Sequence, residues 1–95
     1  MLEPSYGAEV ALTLDKIEFD PGRRPLWNAI CDAIDLVCDS PESADARRGA
    51  LRLPSGATVW QVPIECRAED EDWVLLWFPD GDEAVIAYVG SQLFR

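Results

Sequence analysis

The sequence has no histidine and no CxxC motif, and its basic residues are few. It therefore lacks the side chain that most often serves as a general acid or base near neutral pH. No stretch approaches the roughly 18 consecutive apolar residues that a membrane helix needs. The N-terminus has no basic region followed by an apolar run, so we expect no signal peptide and no membrane attachment. These absences favour a cytoplasmic protein.

Basic residues number 8 against 18 acidic ones in a chain of 95 residues, which leaves a formal charge of −10. Such a surface repels phosphate backbones, so we expect no direct binding to nucleic acid. It favours solubility and basic protein partners, although an acidic surface is more often simply solvated. The length predicts a single domain over residues 1–95.

The three cysteines are an odd number and show no metal-ligand spacing. Cys31 and Cys38 fall on a predicted helix and Cys66 in a predicted strand. We expect reduced, buried thiols. A zinc site would need a fourth ligand such as a carboxylate, and we predict no metal and no cofactor.

Residues 73–90 predict a hairpin at the centre of the fold. Apolar residues fall on both faces of each arm, which is typical of strands in the middle of a covered sheet. The predicted facing sets are Trp73, Leu75 and Trp77 against Val74, Leu76 and Phe78, then Ala84, Ile86 and Tyr88 against Val85, Ala87 and Val89. The turn is Pro79-Asp80-Gly81-Asp82, where Gly81 accepts a positive φ at little cost.

Residues 25–39 predict a helix that is apolar over most of its circumference. Its polar residues form one stripe at steps of four, three and four, namely Asn28, Asp32, Asp35 and Asp39. Pro25 suits the first helical turn, and Ser40-Pro41 ends the helix. A helix of this kind is buried on more than one side, either against the sheet or in a homodimer.

The N-terminal part is harder to interpret. Residues 1–8 read as a loose lead-in, and residues 9–14 predict a strand because Val10, Leu12 and Leu14 alternate with polar neighbours. Residues 15–19 could extend this strand or begin a short helix. Asp20-Pro21-Gly22 then interrupts the chain.

After the helix, residues 42–55 are polar and carry the basic cluster of Arg47, Arg48 and Arg52, which we expect to pair with neighbouring carboxylates. Residues 58–66 predict a strand with core-facing residues at even positions. Gln61, Pro63 and Glu65 then face outward, and Pro63 predicts an edge or an interrupted partner strand. Residues 67–72 form an acidic hairpin loop.

This order of elements predicts an α+β fold. A small antiparallel sheet of about four strands would pack against one long buried helix. The first strand would join the sheet beside the last strand or the middle ones.

Residues 25–92 resemble the RelE/ParE superfamily of small bacterial toxins. The matching pieces are the helix end Cys38-Asp39-Ser40-Pro41, the run Arg-Gly-Ala-Leu-Arg-Leu-Pro at 48–54, the strand Trp60-Gln61-Val62-Pro63, the hairpin at 73–88 and the closing Val89-Gly90. The resemblance implies a small sheet backed by N-terminal helices and an antitoxin partner laid across the sheet. The family's first helix looks shortened or missing here.

The RNA-cleaving members of that family carry basic residues at positions that are uncharged in this chain. The corresponding residues are Gln61, Pro63, Val74, Ser91 and Gln92. RNA cleavage of this type requires cations that stabilise the transition state and an acid or base near the 2′-hydroxyl. The resemblance therefore implies a scaffold without ribonuclease activity.

Other groupings carry weaker signals. Asp80, Asp82 and Glu83 lack the spacing of a calcium loop and read as a solvated turn. The acids at 69–72 lack a partner base for hydrolysis and read as a solvated loop. The four tryptophans could stack on a ligand, but their positions in predicted strands and a helix favour core packing.

We thus predict a non-enzymatic protein-interaction domain on a RelE/ParE-like scaffold. It would bind a protein partner through its sheet face and acidic loops, at Gln61, Pro63, Glu65, Arg67, Asp70 and Asp72. One alternative is an active toxin of a toxin–antitoxin pair, directed at gyrase or at translation. Another is an acidic mimic of nucleic acid that inhibits a basic protein.

Overall fold

The computed structural model describes residues 1–91, and in them five strands form one mixed sheet with two α-helices packed against it. The elements are β1 (Glu3–Tyr6), α1 (Ala8–Glu18), a 3-10 turn (Pro21–Arg23), α2 (Arg24–Asp39), β2 (Gly49–Arg52), β3 (Thr58–Ile64), β4 (Trp73–Asp80) and β5 (Glu83–Ser91). The α+β class is confirmed. The expectation that concerns Gln92 lies outside the described residues.

The strands lie in the order β1-β5-β4-β3-β2, so both arms of the predicted hairpin occupy the interior of the sheet. Strands β2 to β5 pair antiparallel, whereas β1 pairs parallel with β5 and places Glu3 opposite Glu83. The prediction of about four antiparallel strands and one helix therefore had one strand and one helix too few. It missed β1 and β2, each only four residues long and without a continuous apolar face.

Residues 9–14 are helical, which corrects the predicted strand. The buried residues of α1 are Val10, Leu14 and Ile17, spaced by four and three, whereas Leu12 is 61% exposed. Apolar residues at 10, 12 and 14 alternate as in a strand, but residues 10 and 14 also share one face of a helix, and Ile17 continues that helical face. The alternative left open for residues 15–19 is thereby resolved, since α1 continues to Glu18.

Helix α2 matches its prediction to within one residue. Pro25 lies in its first turn, and the four residues of the polar stripe are all exposed. Its buried residues are Leu26, Ile30, Ala33, Ile34, Val37 and Cys38, while Trp27, Ala29, Cys31 and Leu36 at the flanks are only partly buried. The helix is thus buried along one broad face rather than all round.

The main core lies between the two helices and one face of the sheet. Trp77 of β4 is completely buried there among residues such as Leu26, Ile30 and Ile86. Its indole Nε1 donates a hydrogen bond of 2.8 Å to the carbonyl oxygen of Ala46, which precedes β2. A smaller cluster on the opposite face contains Val59, Val74 and Leu76, with Leu51, Phe78 and Tyr88 packed against it.

The two-faced character of the hairpin is confirmed, but its register changes in the middle. Leu76 lies opposite Tyr88 and Trp77 lies opposite Ile86, so Ala87 is the extra residue of a β-bulge. The bulge reverses the alternation of β5 beyond Ile86. Tyr88 therefore joins the smaller cluster and Val89 the main core, the reverse of the predicted assignment.

Gly81 takes the positive φ that was predicted, but the turn lies one residue later than predicted, since Pro79 belongs to β4 and pairs with Ala84. Asp80 pairs with Glu83, which leaves Gly81 and Asp82 as a two-residue loop, and Gly81 has a φ of 60°. Glycine at the first central position with positive φ is typical of a type II′ turn, whose twist matches that of the flanking strands.

Strand β3 has an interrupted partner, as Pro63 predicted. Strand β2 pairs with β3 only from Thr58 to Gln61, so residues 62–64 lie beyond its end. The strand ends at Ile64, however, and Cys66 lies in the following loop rather than in the strand. All three cysteines are free thiols; Cys38 is buried, and Cys31 and Cys66 are partly exposed.

Replacing the buried indole should cost much of the stability. We expect Trp77→Ala to lower the free energy of unfolding by about 3–5 kcal/mol, measured by chemical denaturation, because it empties the centre of the core. Trp77→Phe keeps an aromatic ring but leaves the Ala46 carbonyl without its donor, so it should cost about 1–3 kcal/mol. Phe78→Ala, a partly buried control, should cost less than Trp77→Ala. A loss below about 1 kcal/mol for Trp77→Ala would contradict this description of the core.

Candidate protein-interaction surface

The predicted contact residues gather around the C-terminal end of β3, but they do not form one patch. Pro63 and Glu65 line an open cleft of about 360 Å³ between β3 and α2. The other walls of this cleft, which we call the β3 cleft, come from Ala29, Asp32, Ala33 and Leu36 of α2, from Val62, and from Asp45 and Arg48 of the connecting segment. Three carboxylates and one guanidinium thus line this cleft together with apolar residues of α2 and β3.

Gln61 lies outside the β3 cleft. It pairs with Gly49 of β2 and is partly buried. A Cβ atom added at Gly49 would come within 3.4 Å of both Cβ and Oε1 of Gln61, so the side chain lies over that glycine. Gln61 is on the sheet face that points away from the helices, because its neighbours Trp60 and Val62 pack on the main core.

The acidic loop after β3 is attached to the start of α2. Glu69 lies 3.7 Å from the guanidinium of Arg23, and this guanidinium lies 5.8 Å from the centre of the Trp73 ring. Asp70 contributes to a shallow pocket of about 210 Å³ with Arg23, Glu69, Glu71 and Trp73. Arg67 and Asp72 are exposed and line neither this pocket nor the β3 cleft.

The basic cluster is used mainly for packing. The guanidinium of Arg47 lies 4.9 Å from the centre of the Trp60 ring, and its Nε donates a 2.7 Å hydrogen bond to the carbonyl of Pro41. Arg48 forms an exposed ion pair of 3.3 Å with Asp45. Within residues 1–91, the expected pairing with carboxylates therefore holds for Arg48 and not for Arg47 or Arg52.

Negative charge on the described surface has little internal compensation. Within residues 1–91 no charged or polar residue is buried, and only two of the 18 carboxylate side chains form ion pairs. A cluster of carboxylates at the hairpin turn was predicted only in part. Glu3 and Asp80 each lie opposite Glu83 on a neighbouring strand. Like charges in such cross-strand positions destabilise a sheet. Sequence reasoning missed Glu3 because it had no strand to put it in.

A second groove was missed because residues 9–14 were read as a strand. It has a volume of about 360 Å³ and lies between α1, α2 and β1; we call it the helical groove. Its lining residues are Pro4, Tyr6, Ala11, Leu14, Asp15, Glu18, Trp27, Cys31, Ile34 and Asp35. The helical spacing of Val10, Leu14 and Ile17 was the signal that could have revealed it.

Searches of protein-family models, curated proteins and solved structures found no match to this chain. Within residues 1–91, no group of three or more Cys, Asp and Glu side chains is arranged to hold a metal ion. None of the helices described here has the length and apolar character required to cross a membrane.

The carboxylates beside the helical groove affect the chemistry of a nearby thiol. Burial raises the pKa of Cys31 above its ordinary value, and Asp35, Asp32 and Glu18 raise it further because they disfavour the thiolate. A raised pKa means a smaller thiolate fraction at a given pH, and the thiolate is the form that reacts with alkylating agents.

Removing one of these charges should therefore accelerate alkylation of Cys31. In iodoacetamide labelling at pH 8, followed by mass spectrometry of the Cys31 peptide, we expect Asp35→Asn to react faster than the unmodified protein. Asp39→Asn is the matched control, since it removes an equal charge from α2 that does not contribute to the Cys31 shift. Equal rates in all three proteins would contradict an electrostatic effect of Asp35.

Proposed function

We propose that this chain is a non-enzymatic interaction domain on a RelE/ParE-like scaffold, and that it binds a basic protein partner. The contact surface is the β3 cleft together with the acidic loop at residues 65–72. The observation that carries the proposal is the excess of carboxylates on the described surface that have no cation beside them.

These carboxylates have a physical consequence. Glu71 and Asp72 in the loop and Glu65 at the cleft are exposed, and the only loop acid in an ion pair within residues 1–91 is Glu69. Neighbouring negative charges repel one another, which opposes folding of the isolated chain and is relieved when a cationic surface approaches. Complementary charge of this kind accelerates association and selects the partner.

The scaffold assignment is supported by the arrangement of elements. The resemblance implies a small sheet backed by N-terminal helices, but the sequence indicated that the first of these helices was shortened or missing. Residues Ala8–Glu18 form α1, so two helices precede the antiparallel strands β2 to β5. The parallel pairing of β1 with β5 was not part of that expectation.

The non-enzymatic assignment is supported by the positions where the family carries cations. Val74 is completely buried, so a side chain at this position does not reach a substrate. Gln61 lies over Gly49, and Pro63 has no ionisable group. The chain also contains no histidine to act as a general base.

Partner binding should depend on where the carboxylates are, as well as on how many there are. A partner captured from native lysate and then purified should bind Glu65→Gln/Asp70→Asn/Asp72→Asn about five- to tenfold more weakly than the unmodified domain at moderate salt. The control Asp80→Asn/Asp82→Asn/Glu83→Gln removes the same charge at the opposite end of β4 and should bind nearly normally.

Equal weakening by both triple variants would mean that binding follows net charge alone, and the proposed surface would be wrong. Failure to recover any partner that discriminates between the variants would overturn the proposed function. Competition by nucleic acid for the same partner would favour an acidic mimic, the second function that uncompensated carboxylates support.

The protein should not cleave RNA, either free or in the ribosome. Transition-state stabilisation requires cations near the phosphate. The guanidinium that lines the cleft, Arg48, is paired with Asp45, and Arg67 lies in sequence between Glu65 and the acids at 69–72. A ribosome-programmed cleavage assay and growth under induced expression test this prediction. Codon-specific cuts that disappear in Arg67→Ala would show that a catalytic site exists at a different place from the one the family uses.

A further inference from the structure

The helical groove has the dimensions and lining of a small-molecule site. Its volume of about 360 Å³ lies within the range of roughly 300–1,000 Å³ that ligand pockets occupy. Leu14, Ile34 and Ala11 supply apolar walls from both helices, and Pro4 and Tyr6 of β1 close one end. Three separate elements therefore surround the same space.

Every residue that lines the groove and is charged at neutral pH is acidic. These residues are Asp15 and Glu18 of α1 and Asp35 of α2, and no Lys or Arg lines the groove. None of the three forms an ion pair within residues 1–91. An anionic ligand would be repelled here, and a neutral apolar one would leave these carboxylates without a counter-charge.

Trp27, on the α2 side of the groove, differs from the other three tryptophans. Trp60 has the guanidinium of Arg47 over its ring, and Trp73 has that of Arg23. Trp77 is completely buried and hydrogen-bonded. Trp27 is only partly buried and has no cation over its ring among the described residues, although three carboxylates line the same groove.

We propose that the helical groove binds a small organic cation, in which an ammonium or guanidinium group is joined to an aryl or alkyl body. The cationic group lies by the Trp27 ring in the negative field of Glu18, Asp15 and Asp35, while the apolar body packs on Leu14 and Ile34. Asp35 lies eight residues, or about 12 Å, along α2 from Trp27, so it attracts the cation through space rather than by contact. Attraction between a cation and the face of an indole is strongest when water is partly excluded, as in a groove. This site is separate from the proposed protein-binding surface, since the two share no lining residue.

Two other groups in the groove already respond to its negative field. Burial raises the pKa of the Tyr6 phenol, and Cys38, Cys31 and Asp35 raise it further. The pKa of the Cys31 thiol is raised by burial and then by Asp35. Both groups are held neutral, so they provide polar contacts to a ligand without contributing a competing charge.

The test uses phenethylammonium as the probe and 2-phenylethanol and phenylacetate as its neutral and anionic analogues. Two-dimensional ¹H–¹⁵N NMR of the full chain should show phenethylammonium shifting the Trp27 indole signal and the amides of Cys31 and Asp35. The alcohol should bind several-fold more weakly and the carboxylate not at all. Binding should also weaken as the salt concentration is raised.

Variants separate the contributions of the ring and the charge. Trp27→Leu keeps an apolar side chain but removes the ring, and it should weaken binding about three- to tenfold. Asp35→Asn should weaken it about two- to fivefold. The control Asp39→Asn removes an equal charge from the same helix, but Asp39 does not line the groove and does not contribute to the pKa shifts of Tyr6 and Cys31, so this variant should bind the probe nearly as tightly as the unmodified chain.

Three outcomes would overturn the proposal. The first is the absence of localised shifts with phenethylammonium up to its solubility limit. The second is equal binding of the ammonium and the alcohol, which would make the groove a non-selective apolar surface. The third is a response only to a basic amphipathic peptide, which would make the groove a docking site for a protein. None of them depends on whether the partner of the β3 cleft is found.

Discussion

The hydrogen bond from Trp77 to Ala46 connects the two parts of the chain on which the fold depends. Trp77 is in the central strand and has no exposed surface, so its indole N–H must find a partner inside the protein. The acceptor is a backbone carbonyl in the segment between α2 and β2. That segment is itself held by local bonds, since the Ser43 hydroxyl donates to the Ser40 carbonyl at 2.8 Å and accepts from the Ala46 N–H at 3.2 Å.

One consequence is the position of the cation that lies over Trp60. Arg47 follows Ala46 directly, and its Nε bonds to the Pro41 carbonyl while its guanidinium lies over the Trp60 ring. The same segment carries Asp45 and Arg48, which form one wall of the β3 cleft. The wall of the cleft is therefore fixed by a bond made deep in the core. A surface held in this way loses little conformational entropy when a partner binds.

The parts of the fold that the sequence predicts are those with a long and consistent apolar pattern. The hairpin arms and α2 meet this condition. The apolar pattern that includes Trp77 extends along most of β4, and the pattern that includes Ile30 extends over several turns of α2. Strand β1 does not, because Glu3–Tyr6 contains no aliphatic residue and depends for its existence on pairing with β5. The bulge at Ala87 was also invisible, since an inserted residue leaves an all-apolar stretch looking unchanged.

The candidate sites could likewise be predicted only where the sequence pattern was clear. The acidic loop is exposed as predicted at Asp70, Glu71 and Asp72, because consecutive carboxylates cannot be buried without partners; Glu69, which has Arg23 as its partner, is only 15% exposed. The helical groove could not be predicted, because it exists only where α1 and β1 meet α2, and neither of the first two elements was recognised. Pro63 is the intermediate case: its ring predicts that the partner strand is interrupted, but it does not predict that α2 lies beside the open edge.

The distribution of the few cations explains why the two grooves differ. Arg23, Arg47 and Arg48 are engaged by an aromatic ring or a carboxylate on the side of the molecule that contains Trp60, Trp73 and the β3 cleft. The cleft therefore contains a guanidinium as well as three carboxylates, and because Arg48 pairs with Asp45 the lining keeps a net negative charge. The charged residues that line the helical groove are all carboxylates, and they lie beside a partly exposed indole, a combination that favours a ligand with its own positive charge.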